Sequence, residues 1–109
     1  MAAFSVTTER DRQTSVLSIS GELDMATVPQ LRDLAVAELR RPDCRKLVFD
    51  LARLEFIDST GIGCWVELRN AAIADDRQVV LRSAPPQVSR ILAIGGLDRL
   101  FIEGPDTAA

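Results

Sequence analysis

The sequence predicts a small α/β domain built on a mixed sheet of about five strands, and three observations carry that expectation. Short apolar runs with period-two or continuous patterning alternate with segments whose apolar residues recur at helical spacing. The connections are short, so successive strands should run parallel through right-handed crossovers. The first two strands are joined with no helix between them and should pair antiparallel. The 109 residues fit one domain spanning 1–109, long enough to bury a core without disulfides or metal. Helices could cover one or both faces of the sheet.

"AFSV" near residues 3–6 and "SVLSIS" at 15–20 read as the opening strands, with Leu17 and Ile19 alternating with Ser18 and Ser20. The polar "TERDRQT" between them suits a hairpin loop, and Gly21 should close the second strand. In "DMATVPQLRDLAVAELRR" the pattern changes. Val28, Leu31, Leu34, Ala35 and Leu39 share one helical side, Thr27 with Gln30 fits a capping box, and Pro29 is tolerated in the first turn. This helix should end near Arg41, before Pro42.

"KLVFDL" at 46–51 is almost continuously apolar, as a strand covered on both faces would be, and "ARLEF" reads as a short connector. A second helix follows from about Ser59 to Ala74. "RQVVLRS" supplies another strand, "PPQVSRILAIGG" a short helix opened by proline and stopped by glycine, and "RLFIEG" a last strand before a frayed tail at 105–109.

Composition narrows the function. A net charge of −3 with scattered basic residues gives no electrostatic footprint for nucleic acid. No apolar run is long enough to span a membrane, and "MAAFSVTTERDR" lacks the pattern of a secretion signal, so a cytoplasmic location without membrane insertion is expected. Cys44 and Cys64 are too few for a zinc site and should be buried thiols. The chain has no His, no Tyr and a single lysine, Lys46, which removes the commonest general base and the commonest metal ligand. A binding protein without cofactor is expected rather than an enzyme.

The most informative stretch is "FIDSTGIG" at 56–63. It lies where a strand hands over to a helix, the kind of junction where functional loops gather in such sheets. "GELDMAT" at 21–27 occupies the corresponding junction after the second strand, so Asp24 could approach Asp58 and Ser59. Helix capping by Ser59 or Asp58 would account for part of the pattern. It does not account for Gly61 and Gly63, each of which weakens a helix by about 1 kcal/mol relative to alanine. The apolar positions of this helix also wrap further around it than one core contact needs, which leaves part of the arc for a partner. Core filling is the default for Trp65 and Cys64.

Taken in order, "SGELDMAT", "KLVFDLARLEFIDSTGIGCWVELR" and "VVLRSAPPQVSRILAIGGLDRLF" resemble the anti-sigma-factor antagonists, the STAS domain proteins of bacteria, over about residues 4–102. The resemblance implies a STAS-like sheet with helices packed mainly on one face. It implies that Ser59 is phosphorylated by an anti-sigma factor serine kinase and reset by a phosphatase, Thr60 being the less favoured hydroxyl. Asp24, Asp58, Ser59, Thr60, Gly61, Ile62 and Gly63 would then form the surface that the kinase recognises. Trp65 and Cys64 stand where the family usually carries aliphatic residues. The chain also stops soon after its last expected strand, where many relatives have another helix, and an exposed final strand would support a homodimer.

Two rival readings accompany this one. A STAS scaffold or accessory subunit of a stress-signalling or lipid-transport complex would bind partners without phosphorylation. A Mg²⁺-dependent nucleotide-binding protein would use Asp24, Asp50 and Asp58, although no phosphate-cradling "GxxxxGK[ST]" loop is present.

Overall fold

A computed structural model describes residues 3–96. The elements run β1 (Ser5–Asp11), β2 (Thr14–Leu23), α1 (Val28–Leu39), β3 (Lys46–Ile57), α2 (Ser59–Ala74), β4 (Gln78–Arg82) and α3 (Pro86–Ile94). They build an α/β architecture on a mixed sheet of order β1-β2-β3-β4, antiparallel between the first two strands and parallel thereafter. Four of the five expected strands fall in the described residues. The fifth, in "RLFIEG", and the tail at 105–109 lie outside them.

The alternation of β2 places Leu17, Ile19 and Leu23 on the inner face, where Leu47, Phe49 and Leu51 of β3 and Val79 and Leu81 of β4 join them. α1 and α2 pack side by side over this face through Leu31, Ala35, Leu68 and Ala72. Trp65 is completely buried, with its ring centroid 6.1 Å from that of Phe49. Cys44 and Cys64 are buried thiols, and apolar surroundings push the Cys64 thiol above its usual range.

The sequence reading needs correction at four places. The hairpin is tighter than "TERDRQT" suggested, because pairing continues to Asp11↔Thr14 and leaves only Arg12 and Gln13 to turn, Arg12 at φ 57°. β1 is an exposed edge strand, so its polar residues carry no apolar alternation to betray it. The second strand passes through Gly21 to Leu23. Gly21 sits at φ +96°, where a Cβ would lie 2.9 Å from Phe4 Cα, so it forms a bulge rather than an end.

"ARLEF" is part of β3, not a connector. Its residues follow the register shifts of β2, with Ser20↔Arg53 and Glu22↔Phe56, and therefore bury Leu54 and Ile57 outside a period of two. Finally, α1 stops at Leu39, and Thr27 makes no capping bond to it. The end of α1 is held instead by Arg77, whose Nη1 donates to the carbonyls of Leu39, Arg41 and Cys44 at 2.5, 2.7 and 2.8 Å.

Candidate functional site

β2 and β3 are parallel neighbours, so the loops that leave their C-terminal ends emerge side by side. The backbone N–H of Asp58 donates to the carbonyl of Leu23 at 3.2 Å, which ties the start of α2 to the turn carrying Asp24. "GELDMAT" and "FIDSTGIG" thus form one surface, as their matching topological positions suggested.

Within the first turn of α2 the roles divide. Asp58 is extended and is the helix cap, its Oδ1 accepting from the N–H groups of Thr60 at 2.9 Å and Gly61 at 3.1 Å. This resolves the choice between Ser59 and Asp58. Ser59 is the first helical residue, exposed, and its hydroxyl has no hydrogen bond among the described residues. Thr60 is half-buried behind it.

Asp24 has a different task from Asp58. Its Oδ1 accepts from the N–H groups of Ala26 at 2.9 Å and Thr27 at 3.2 Å. The Thr27 hydroxyl accepts from the Asp24 N–H at 3.0 Å and donates to the Glu22 carbonyl at 2.8 Å. Thr27 therefore stiffens the turn instead of forming the expected capping box. The tip of this turn carries Met25, 74% exposed, which the sequence reading passed over. The available signal was an apolar residue between Asp24 and the helix, outside any periodic pattern.

The two glycines of the motif serve different ends. Gly61 is buried, and a Cβ there would lie 2.9 Å from Ile57 Cγ1 and 3.0 Å from Leu23 Cγ, so its absence lets α2 seat against both strand ends. Gly63 is exposed, and a Cβ there would meet nothing within 4 Å. Among the described residues no contact demands glycine at that position. Gly63→Ala is accordingly expected to raise the unfolding free energy by about 0.5–1 kcal/mol. Gly61→Ala is expected to lower it by roughly 1–2 kcal/mol through overpacking. Urea titration of both variants checks the opposite signs.

Ser59, Gly63 and Glu67 make an exposed stripe down α2, four residues apart. Ile62 and Val66 flank it, half-buried against the core. The sequence-predicted site residues Asp24, Asp58, Ser59, Thr60, Gly61, Ile62 and Gly63 all belong to this one end of the molecule.

Asp50 does not. It lies midway along β3, its Oδ2 2.9 Å from Arg82 Nη2 and its Oδ1 accepting from the Ala52 N–H. Asp24, Asp50 and Asp58 are therefore not gathered into a cation site. No cluster of three or more acidic, His or Cys residues among the described residues could hold a metal ion. Nor is any helix of the described residues long and apolar enough to cross a membrane.

The family model described as the Mlab STAS domain matches residues 6–103. A Staphylococcus aureus protein named anti-sigma-B factor antagonist is 30% identical over 95 residues, which are 87% of this chain and 86% of its own. The crystal structure of an anti-sigma factor antagonist from Mycobacterium paratuberculosis superposes with a TM-score of 0.76 at 25% identity, covering 97% of this chain and 90% of that one. The anti-sigma factor antagonist SpoIIAA in its unphosphorylated form gives a TM-score of 0.77 at 24% identity over 97% of this chain and 91% of its own, a likeness of fold.

Proposed function

The chain belongs to the STAS domain family, with anti-sigma factor antagonists among its relatives, and on that premise we propose that it is a partner switch controlled at Ser59. Unmodified, it binds an anti-sigma factor serine kinase and so frees a sigma factor. The kinase transfers the γ-phosphoryl group of ATP to Ser59 Oγ, and the modified protein lets go. A phosphatase returns the serine. In this reading the whole chain acts as one domain in the bacterial cytoplasm, contributing a surface and a substrate hydroxyl rather than a catalytic group.

The observation that carries the proposal is the division of labour at the head of α2. Asp58 already caps the helix, so the exposed Ser59 hydroxyl has no structural duty to lose. Phosphate adds about −1.5 to −2 charges beside Asp58. A helix N-terminus accommodates such charge, so the fold survives a modification that the interface does not. Gly63, bare and exposed one turn further on, leaves room for another protein to close over the serine.

A pull-down from source-cell lysate with wild type, Ser59→Ala and Ser59→Asp as baits tests the proposal by mass spectrometry. Recovery of an ATPase-fold kinase by the first two baits and its loss with Ser59→Asp supports the switch. Recovery of one other complex equally by all three baits overturns it in favour of a scaffold in which phosphorylation plays no part.

A further inference from the structure

We propose that Arg32 is the residue that answers the phosphate, exchanging its carboxylate partner Glu67 for phosphorylated Ser59. The inference rests on the reading of Ser59 as the modified residue and adds the response of the protein itself. Arg32 projects from the second turn of α1, and its Nη2 lies 2.9 Å from Glu67 Oε1 on α2. Both ends of the ion pair are in solvent, with the arginine side chain 45% and the glutamate 65% exposed. An exposed pair of this kind is weakly held and easily exchanged.

Glu67 shares the exposed stripe of α2 with Ser59, and between them stands only Gly63, which has no side chain. Glu67 stands eight residues beyond Ser59, so its bond holds the guanidinium roughly two helical turns, up to about 12 Å along the axis, from the head of α2. α1 and α2 follow parallel strands, so they run in the same direction, and the stem of Arg32 leans toward the end where Ser59 sits. The exchange is a swing of the long Arg32 side chain along the empty stripe, toward the head of α2.

Phosphate offers what Glu67 does not: nearly two charges and three acceptor oxygens in a geometry that suits the guanidinium fork. Asp58, next to Ser59 in the chain, and Asp24, on the adjoining turn, repel the phosphate and heighten its need for a cation. Transfer of Arg32 would uncover Glu67 and draw the guanidinium up across Gly63, closing the gap into which a partner must fit. Modification would thereby alter the shape of the surface as well as its charge.

The test is a ³¹P NMR titration of full-length protein carrying genetically encoded phosphoserine at position 59, beside the same protein with Arg32→Gln, Arg32→Lys or Glu67→Gln. An ordinary phosphoserine loses its second proton near pH 6. The wild-type phosphate is expected to titrate about half a unit to one unit below that of Arg32→Gln, because a nearby cation favours the dianion. Arg32→Lys should retain part of that difference, and Glu67→Gln, which frees the arginine, should titrate at least as low as wild type. Coincident titrations of wild type and Arg32→Gln would overturn the proposal. The phosphate is installed without a kinase, so a failure to find Ser59 modified in cells would count against the switch alone.

Discussion

Phosphoserine at position 59 is expected to weaken binding to the anti-sigma factor about a hundredfold without lowering the unfolding midpoint of the domain. The two halves of that result have separate origins. Stability holds because Ser59 is exposed and its hydroxyl has no hydrogen bond among the described residues for the phosphate to break, while the cap is Asp58. A negative group at the first helical position is also favoured by the unpaired N–H groups and the helix dipole.

Binding falls because a partner covering Ser59 must exclude water from the new charge beside Asp58 and Asp24. A loss of roughly 3 kcal/mol corresponds to the hundredfold change. Calorimetry with the purified kinase, nucleotide-bound, checks the affinity, and thermal unfolding checks the fold. Ser59→Ala should bind like wild type. Ser59→Asp should lose part of the affinity, since it carries one charge and is shorter. Equal affinity of serine and phosphoserine forms, both folded, would remove the basis of the switch.

How far the sequence revealed this site depended on which residues face water. α2 was legible at both ends, from Ser59 to Ala74, because Asp58 marks its start and its apolar arc marks its length. The pairing of the two loops followed from strand order alone. The bulge at Gly21 was invisible, since a positive φ and a close approach by Phe4 depend on a strand distant in sequence. The continuation of β3 through "ARLEF" was hidden for a related reason. Register shifts against β2 move its buried residues out of alternation, so the run resembles a loop.

Polar residues proved hardest to place. Thr27 has the spacing of a capping residue, yet its hydroxyl bonds to Glu22 and Asp24, because the turn offers it partners before the helix begins. Arg77, to which the strand run "RQVVLRS" assigned no role, gathers three carbonyls at the end of α1. Met25 sits on the rigid turn that Thr27 and Asp24 build, fixed relative to Ser59 by the bond from Asp58 to Leu23.

Glu38 is the polar residue with the largest expected effect on stability, and its sequence context gave no warning of it. It occupies the inner side of α1 with its side chain 7% exposed, joining three elements that adjoin at the opposite end of the sheet from Ser59. Oε2 accepts from Arg10 Nη2 at 2.7 Å, and Oε1 accepts from Arg10 Nε at 3.0 Å, from the Ser15 hydroxyl at 2.7 Å and from Arg41 Nη1 at 3.4 Å. The Arg10 bonds, joined by the Ser15 bond and the Arg10 and Arg41 charges, outweigh burial and hold the carboxyl down from 4.5 to about 2.

At roughly 1.4 kcal/mol per pH unit, that displacement makes the ionised Glu38 worth about 3 kcal/mol to the fold. The sign follows from the direction of the shift. A depressed carboxyl binds its proton more weakly when folded than when unfolded. Its contribution is therefore complete above about pH 4.5 and drains away as the pH falls toward about 2. Glu38→Gln, which keeps the shape and loses the charge, should be less stable than wild type by about 2–3 kcal/mol at pH 7 in urea titrations. The gap should close between pH 5 and 2 as the wild-type carboxyl takes up its proton. The other acidic side chains titrate in both proteins, so the difference between them isolates Glu38. A gap that stayed constant across that window would mean that the loss comes from the fit of the glutamine amide and not from the carboxylate charge, and that the Arg10 pair contributes little.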